Sequence, residues 1–134
     1  MLGSSDVIAF VPTTDPDRAR AFYEQTLGLP LVGQFGFTYT FDANGTILRV
    51  IKVPRVVRGG YNVLGWRVSD ITAIVRDLAA RGVVFLRFGS NFNQDEDGVS
   101  APAGGDKMAW FDDPDGNRLT LTQDSDNSTI PPGW

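Results

Sequence analysis

The sequence repeats one pattern twice, and this duplication limits the folds that the chain can adopt. An apolar segment, Val7 to Phe10, leads to Asp15 and an amphipathic run, and Val63 to Trp66 leads to Asp70 and a second such run. The downstream part repeats as well, as a turn followed by a strand pattern: Phe41 to Gly45 with 47–52, and Phe111 to Gly116 with 118–123. Two copies of one unit predict two half-sheets around a shared space. A small-molecule pocket is therefore the first functional hypothesis.

Composition limits the remaining classes of protein. The chain has 134 residues, of which 42% are hydrophobic and 21% charged, and its net charge is -4. These values are typical of one compact domain, 1–134, with a real core. An acidic chain without a basic field predicts no nucleic-acid partner. No apolar run is long enough to cross a bilayer, and no signal segment stands at the amino terminus, so we expect no membrane partner and a cytoplasmic location.

The residue types that are missing restrict the chemistry further. The sequence has 0 Cys and 0 His, which excludes disulfides, thiol nucleophiles, Ser-His-Asp relays and thiolate or imidazole metal sites. An all-oxygen site for Mg²⁺ or Ca²⁺ stays chemically open, but no EF-hand loop is present. The acidic run Asp95-Glu96-Asp97 lies in a glycine-rich stretch and is interpreted as a solvated surface.

The first module, about 6–53, is predicted as one helix among four strands. Asp15 and Pro16 supply the cap and first position of a helix whose apolar stripe contains Phe22 and Tyr23, and Gly28 ends it. Asn44-Gly45 predicts a tight hairpin turn. The expected strands are 6–11, 31–34, 37–41 and 46–53.

The second module, about 61–123, follows a linker at 54–60 and has the same order. Its helix is capped by Ser69 or Asp70 and ends near Arg81-Gly82, and its apolar face is formed by Ile71, Ile74, Val75 and Leu78. The long stretch 89–105, with a short strand near Val99, is typical of a lid or binding loop. The expected strands are 62–68, 83–88, 107–112 and 117–123, and 124–134 is predicted to be a loose tail.

Two motifs, Ala21 to Leu29 and Trp110 to Asn117, together with the duplication, resemble the vicinal oxygen chelate superfamily. This superfamily is also called the glyoxalase, bleomycin-resistance and extradiol-dioxygenase family. The resemblance covers about Val7 to Gln123. It implies an α+β fold in which two tandem β-α-β-β-β modules form a curved mixed sheet, the glyoxalase/bleomycin resistance/dioxygenase fold. It also implies a cup for a ligand, and a homodimer.

The resemblance further implies positions for a divalent metal, which other members hold with His, Glu or Gln side chains. In the second module these positions fall at Val63 and Thr120, and in the first module near Val7 and at Arg49. Valine has no lone pair, and Arg49 would bring a permanent positive charge to the place of a cation. We therefore predict that this chain has lost the family metal and uses no cofactor.

Strand alternation suggests which side chains replaced the metal. Leu119 and Leu121 are expected to pack against the helix, which leaves Arg118 and Thr120 facing the cup. Such residues could bind a ligand with an acidic group and an apolar body. An exposed arginine or an ordinary strand threonine is the competing interpretation, whereas Phe22, Tyr23 and Trp66 are assigned to the core. The candidate ligand-binding residues are Arg49, Arg67, Arg118, Thr120, Thr122, Tyr39 and Trp110.

Three classes of function fit these residues. The first is a binding or sequestering protein, similar to the antibiotic-resistance members of the superfamily. The second is a metal-independent isomerase, lyase or hydrolase in which Arg49 stabilises an oxyanion and a carboxylate or Tyr39 acts as the base. The third is a non-catalytic interaction module. The sequence assigns no catalytic residue, and binding is favoured because it needs no base.

Overall fold

The computed structural model describes residues 1–125, so the predicted tail lies, from residue 126 on, outside the described residues. The chain forms two compact units. The first is Met1–Gly59 with Asp113–Asn117, and the second is Gly60–Asp112 with the chain from Arg118 onward. The boundary at Gly59 and Gly60 lies within the predicted linker, while the assignment of 1–134 to one domain stays a prediction. Within residues 1–125, no helix has the length and apolar character needed to cross a membrane.

The first unit is a four-stranded sheet with one helix. Strand order is β1-β4-β3-β2; β1 pairs with β4 in parallel, and the other pairs are antiparallel. This is the β-α-β-β-β order that the duplication predicts. The elements are β1 (Ile8–Thr13), α1 (Pro16–Arg20), β2 (Leu31–Phe35), β3 (Thr38–Ala43) and β4 (Thr46–Lys52).

The first helix begins as the sequence predicts but does not stay regular. The Asp15 side chain accepts a hydrogen bond from the Arg18 amide, which would otherwise be a free donor at the start of the helix. Proline occupies the first turn. From Ala21–Thr26 the backbone is a π-helix, with a 2.9 Å hydrogen bond from the Leu27 amide to the Phe22 carbonyl. The apolar spacing predicted a uniform α-helix, because a π-turn leaves no composition signal.

Alternation along the strands of the first unit builds its core. Leu48 and Val50 of β4 are fully buried, as are Phe41 of β3 and Tyr23 of the π-helix. Burial of each large apolar side chain contributes about 1.5–3 kcal/mol. Phe22, which was assigned to the core, is only partly buried. The other face of the sheet, turned away from α1, is called the helix-free face below.

The turn between β3 and β4 has the predicted form. Asn44 and Gly45 have φ values of 52° and 96°, the left-handed pair that a two-residue type I′ hairpin requires. The Asp42 side chain accepts a 2.7 Å hydrogen bond from the Gly45 amide. This turn is exposed and local.

The second unit contains a three-stranded sheet and one longer helix. Strand order is β5-β7-β6, with β5 and β7 parallel and β6 and β7 antiparallel. The elements are β5 (Asn62–Arg67), α2 (Ile71–Ala80), a 3₁₀ turn (Ser90–Phe92), β6 (Lys107–Asp112) and β7 (Arg118–Gln123).

The second helix confirms Asp70 as its cap, since the Asp70 side chain accepts from the Ala73 amide. Ile71, Val75 and Leu78 are buried, whereas Ile74 is 37% exposed. The prediction that Ile74 belongs to the buried face of the helix was therefore wrong. The part of the helix surface that packs against the sheet is narrower than the apolar stripe in the sequence. Trp66, also assigned to the core, is only partly buried.

The strand predicted at 83–88 is not a regular strand. It touches β6 through a single bridge between Phe85 and Phe111 and a 2.8 Å hydrogen bond from the Leu86 amide to the Trp110 carbonyl. The backbone groups that follow bond to a side chain instead of to a strand. The side-chain amide of Gln94 donates to the Leu86 carbonyl and accepts from the Phe88 backbone N–H. The short strand expected near Val99 is likewise reduced to single bridges at Ser100.

Candidate functional site

The helix-free face of the first sheet carries Arg49 at its centre. Arg49 pairs in register with Phe10 of β1 and Thr40 of β3, and directly opposed residues project to the same face. Arg49 is exposed, and Phe10 is 53% exposed. Ile47 and Ile51 alternate with Leu48 and Val50 along β4 and share this face with Arg49. Thr40 and Asp42 of β3 lie on the same face, so Arg49 has both apolar and polar neighbours.

Among the described residues, none forms a hydrogen bond or an ion pair with the Arg49 guanidinium. Its five N–H donors have the planar arrangement that matches a carboxylate or phosphate. An anion could bind there without displacing an acidic side chain of this unit.

The helix-free face of the second sheet has a different character. Thr120 pairs in register with Gly65 and Trp110, yet Thr120 is 6% exposed and Trp110 is 7% exposed. Phe88 and Phe92 pack against Trp110: their ring centroids lie 5.2 Å and 5.5 Å from that of Trp110, both edge-on. The β6 side of this face is therefore filled by aromatic side chains of its own unit, whereas Gly65 on the β5 side is exposed.

Gly65 allows the close approach of β5 to Thr120. A Cβ atom built at Gly65 would overlap the Thr120 hydroxyl, so any larger residue would force Thr120 to shift. The first sheet has Phe10 at the position that corresponds to Gly65 in the register with β4. The two halves therefore differ at this position in size as well as in exposure.

The other two candidate arginines are paired with carboxylates. Arg67 Nε lies 2.9 Å from Asp124, and Arg118 Nε lies 3.7 Å from Asp112. The Arg118 guanidinium also stacks over the Phe88 ring, 5.1 Å from its centroid. Thr122 lies beside Arg67 in the register and is partly buried. These arginines are held within their own unit, in contrast to Arg49.

Tyr39 does not lie with Arg49. Its side chain is 6% exposed, and its hydroxyl donates a 3.0 Å hydrogen bond to Asp17 of α1. Tyr39 pairs with Val50, on the face that packs against the helix. There it lines a separate cavity of about 500 Å³ with Asp17, Phe37 and Lys52.

Two buried aspartates of the turn Asp113–Asn117 form a polar network in the first unit. The Tyr23 hydroxyl donates to Asp113 at 2.8 Å, and the Asn117 side chain donates to Asp113 and to the Pro12 carbonyl, each at 2.9 Å. Burial raises the pKa of Asp113, although hydrogen bonds from Asn117 and Tyr23 oppose the rise. Burial and the Asp113 charge also raise the pKa of the Tyr23 phenol.

Asp115 accepts hydrogen bonds from the Thr13 and Thr14 hydroxyls and from the Thr14 amide, and it forms a 2.9 Å ion pair with Arg18. Burial by itself would raise the pKa of Asp115, but these donors and the Arg18 charge outweigh it and lower the pKa. Every carboxylate oxygen of Asp113 and Asp115 accepts a hydrogen bond from the protein, which assigns the turn to stability rather than to ligand chemistry.

The sequence did not predict three aromatic residues that lie near the two helix-free faces. Phe10 lies beside Arg49. The alternation of side chains along β1 would have indicated its orientation, but β1 starts at Ile8 rather than at residue 6. Phe88 and Phe92 belong to an irregular stretch, in which no periodicity indicates where a side chain points.

The positions that correspond to the family metal site do not fit a metal ion. The resemblance assigned these positions to Arg49 and Thr120 and to Val7 and Val63; the first two supply a cation and a neutral hydroxyl, and the two valines, 73% and 38% exposed, supply no donor atom. In the described part of the chain, no group of three or more Asp and Glu residues is arranged to hold an ion.

Comparison with known proteins identifies the family. The model of the Glyoxalase/Bleomycin resistance protein/Dioxygenase superfamily matches residues 6–121. The chain belongs to this superfamily. The sequence resemblance and the α+β fold that it implied are thereby confirmed. A search of curated protein sequences finds no significant match.

Solved structures of this superfamily show the same fold. TnmS3, an antibiotic binding protein from Streptomyces sp. CB03234, is 28% identical with a TM-score of 0.70, over 93% of this chain and 99% of that one. A glyoxalase/bleomycin resistance protein from the same organism is 28% identical with a TM-score of 0.63, over 89% and 100%. The fosfomycin resistance protein FosX from Listeria monocytogenes has a TM-score of 0.74 at 12% identity, over 95% and 98%, and shows the fold alone.

Proposed function

We propose that this superfamily member is a metal-independent binding protein for a small molecule with an acidic group and an apolar body. The observation that carries the proposal is Arg49, an exposed guanidinium without a carboxylate partner among the described residues, beside the exposed ring of Phe10. A bidentate pair between Arg49 and the acid would fix the ligand, while the ring and neighbouring isoleucines would bind its apolar part.

Binding without turnover is supported by two observations. The Streptomyces relative TnmS3, at 28% identity, is an antibiotic binding protein. A catalytic function would need a base beside Arg49, for which Tyr39 and a carboxylate were the candidates. The Tyr39 hydroxyl is bonded to Asp17 on the helix-packed face, and among the described residues no carboxylate forms a hydrogen bond or an ion pair with Arg49. Oxyanion stabilisation without proton transfer would supply only part of an enzymatic mechanism.

The proposal can be tested with two matched probes, naphthalene-2-carboxylate and naphthalene-2-methanol, which differ in charge but share an apolar body. Titration calorimetry should show that Arg49→Gln weakens binding of the carboxylate about tenfold or more, because a charge-assisted hydrogen bond contributes about 1.5–3 kcal/mol. Binding of the alcohol should change little. An excess of EDTA should leave both affinities unaltered.

Arg81→Gln serves as the matched control, since Arg81 is an exposed arginine at the end of α2 in the other unit. It should bind both probes as the wild type does. Equal losses for acid and alcohol in Arg49→Gln, or none for either, would contradict the assignment of Arg49. Conversion of either probe into a product would contradict binding without turnover and favour an enzyme.

We further propose that the protein forms a homodimer. β2 is an edge strand of the first sheet, its five residues carry no charge, and Val32 and Phe35 are 57% and 89% exposed. An unprotected apolar edge of this kind is suited to pairing with a second copy. Sedimentation equilibrium would measure the mass in solution, and a monomer at all concentrations would contradict this arrangement.

A further inference from the structure

The 3₁₀ turn Ser90–Phe92 places one aromatic ring over the helix-free face of the second sheet. The Phe92 ring contacts both Phe88 and Trp110, with centroid separations of 5.2 Å and 5.5 Å. Trp110 is only 7% exposed, yet Phe92 itself is 43% exposed. Phe92 therefore covers this face without being part of the core.

The turn is bounded by two residues with left-handed backbones. Gly89 has φ 83° and Asn93 has φ 45°, and a non-glycine residue adopts the latter conformation only at an energetic cost. Within the turn the backbone hydrogen bonds are long: 3.4 Å from the Phe92 amide to Gly89 and 3.4 Å from the Asn93 amide to Ser90. The turn is thus a short segment with a potential hinge at each end.

The residues on either side of the turn are held much more firmly. The Gln94 side chain bonds to Leu86, Phe88 and Gly98 at 2.7–2.9 Å. The Ser100 hydroxyl donates to the Phe92 carbonyl, which anchors the backbone of the turn but not its ring. Firm anchors on both sides would confine a movement to the turn itself.

From this contrast we propose that Ser90–Phe92 is a hinged plug: the Phe92 ring occupies an aromatic slot over Trp110 and gives way there to a planar aromatic ring of a ligand. The inference goes beyond the proposed function, because the slot lies within the second unit and would take an aromatic ligand without any contribution from Arg49. The slot offers the edge-on partners Phe88 and Trp110, with the Arg118 guanidinium over Phe88. Phe92 thus acts as an internal competitor of the ligand.

The first test of the plug needs no ligand and measures how accessible Trp110 is to a quencher. In a Trp66→Phe, Trp134→Phe background, Trp110 is the remaining tryptophan, and its quenching by acrylamide reports access to the slot. Phe92→Ala should raise the quenching constant about twofold or more. Phe37→Ala removes another exposed phenylalanine, in the first unit, and should leave the constant unchanged. Equal quenching in Phe92→Ala and the background protein would overturn the plug.

The competition is tested with naphthalene-2-methanol, which carries no charge for Arg49. Phe92→Ala should bind this alcohol about fivefold more tightly than the wild type, since the closed state no longer competes. Phe92→Leu, which keeps apolar contact without a ring, should lie between them and remains informative if the alanine variant fails to fold. Unchanged or weaker binding in both variants would contradict the inference, whereas failure of Arg49→Gln to discriminate the acid would contradict only the proposed function.

Discussion

The two modules have the same topology but use their helix-free faces in opposite ways. At equivalent register positions the first sheet has Phe10, Arg49 and Thr40, and the second has Gly65, Thr120 and Trp110. Arg49 and Phe10 are exposed, whereas Thr120 and Trp110 are buried, Trp110 against the rings of Phe88 and Phe92. A duplicated backbone thus supplies two similar platforms, and the aromatic side chains of the stretch after α2 make the centre of the second less exposed.

The hairpin turns of the two modules differ in the same manner. Asn44-Gly45 is an exposed turn supported by one side-chain hydrogen bond from the Gly45 amide to Asp42. The corresponding turn Asp113–Asn117 is buried within the first unit and bonded to Pro12 and Tyr23. The Asn44-Gly45 turn only connects two strands, whereas the Asp113–Asn117 turn also stabilises the core of the first unit.

The largest expected effect concerns this pair of turns. Asp113→Ala should lower the free energy of unfolding by about 4 kcal/mol, because the buried Tyr23 hydroxyl and Asn117 amide lose their acceptor. Asp42→Ala should cost less than about 1 kcal/mol, since the exposed Gly45 amide can bond to water. Urea denaturation measures both values. Similar losses in the two variants would remove the distinction between the turns.

A reciprocal exchange between the two faces has the next largest effect. Thr120→Arg should destabilise the protein by about 3 kcal/mol, because it places a guanidinium at a buried position of the second sheet. Arg49→Thr should change the stability by no more than about 0.5 kcal/mol, as expected for an exposed position. If both exchanges were neutral in denaturant titrations, the second face would not be filled as described.

The smallest effect is a dependence on pH that is confined to the buried turn. The lowered pKa of Asp115 in the folded state adds stability above the ordinary pKa of aspartate, and this stability is lost as the pH falls through the folded value. The loss of stability caused by Asp115→Asn should therefore be about 1 kcal/mol larger at pH 7 than near pH 3. The opposite contribution of Asp113, whose pKa is raised, is present in both proteins. Chemical denaturation at the two pH values gives the difference, and an equal loss at both would contradict the role of Asp115.

Local signals in the sequence predicted much of the fold. The caps Asp15 and Asp70 and the Asn44-Gly45 turn act through neighbouring backbone groups, so their short-range chemistry is visible in the residues themselves. The π-helix and the irregular 83–88 segment were missed. The π-helix leaves no composition signal. In the 83–88 segment a side-chain contact overrides the local pattern, because the Gln94 side chain, several residues away, replaces strand pairing at Phe88.

The candidate site was predictable only where alternation determines orientation. Arg49, Thr120 and Trp110 lie on the helix-free faces because their strands are regular. Exposure was not predictable, since it depends on whether a distant loop covers the face. Phe92 reaches Trp110 from a turn without periodicity, and the carboxylate that pairs with Arg67 depends on the tertiary arrangement. Asp112, by contrast, lies directly opposite Arg118 in the β6–β7 hairpin.

The most direct test of the central claim is a crystal structure of the protein with naphthalene-2-carboxylate. The carboxylate should accept two hydrogen bonds from the Arg49 guanidinium, and the naphthalene body should lie against Phe10 on the helix-free face of the first sheet. A carboxylate bound away from Arg49, or Arg49 bonded instead to an acidic side chain of the protein, would contradict the account.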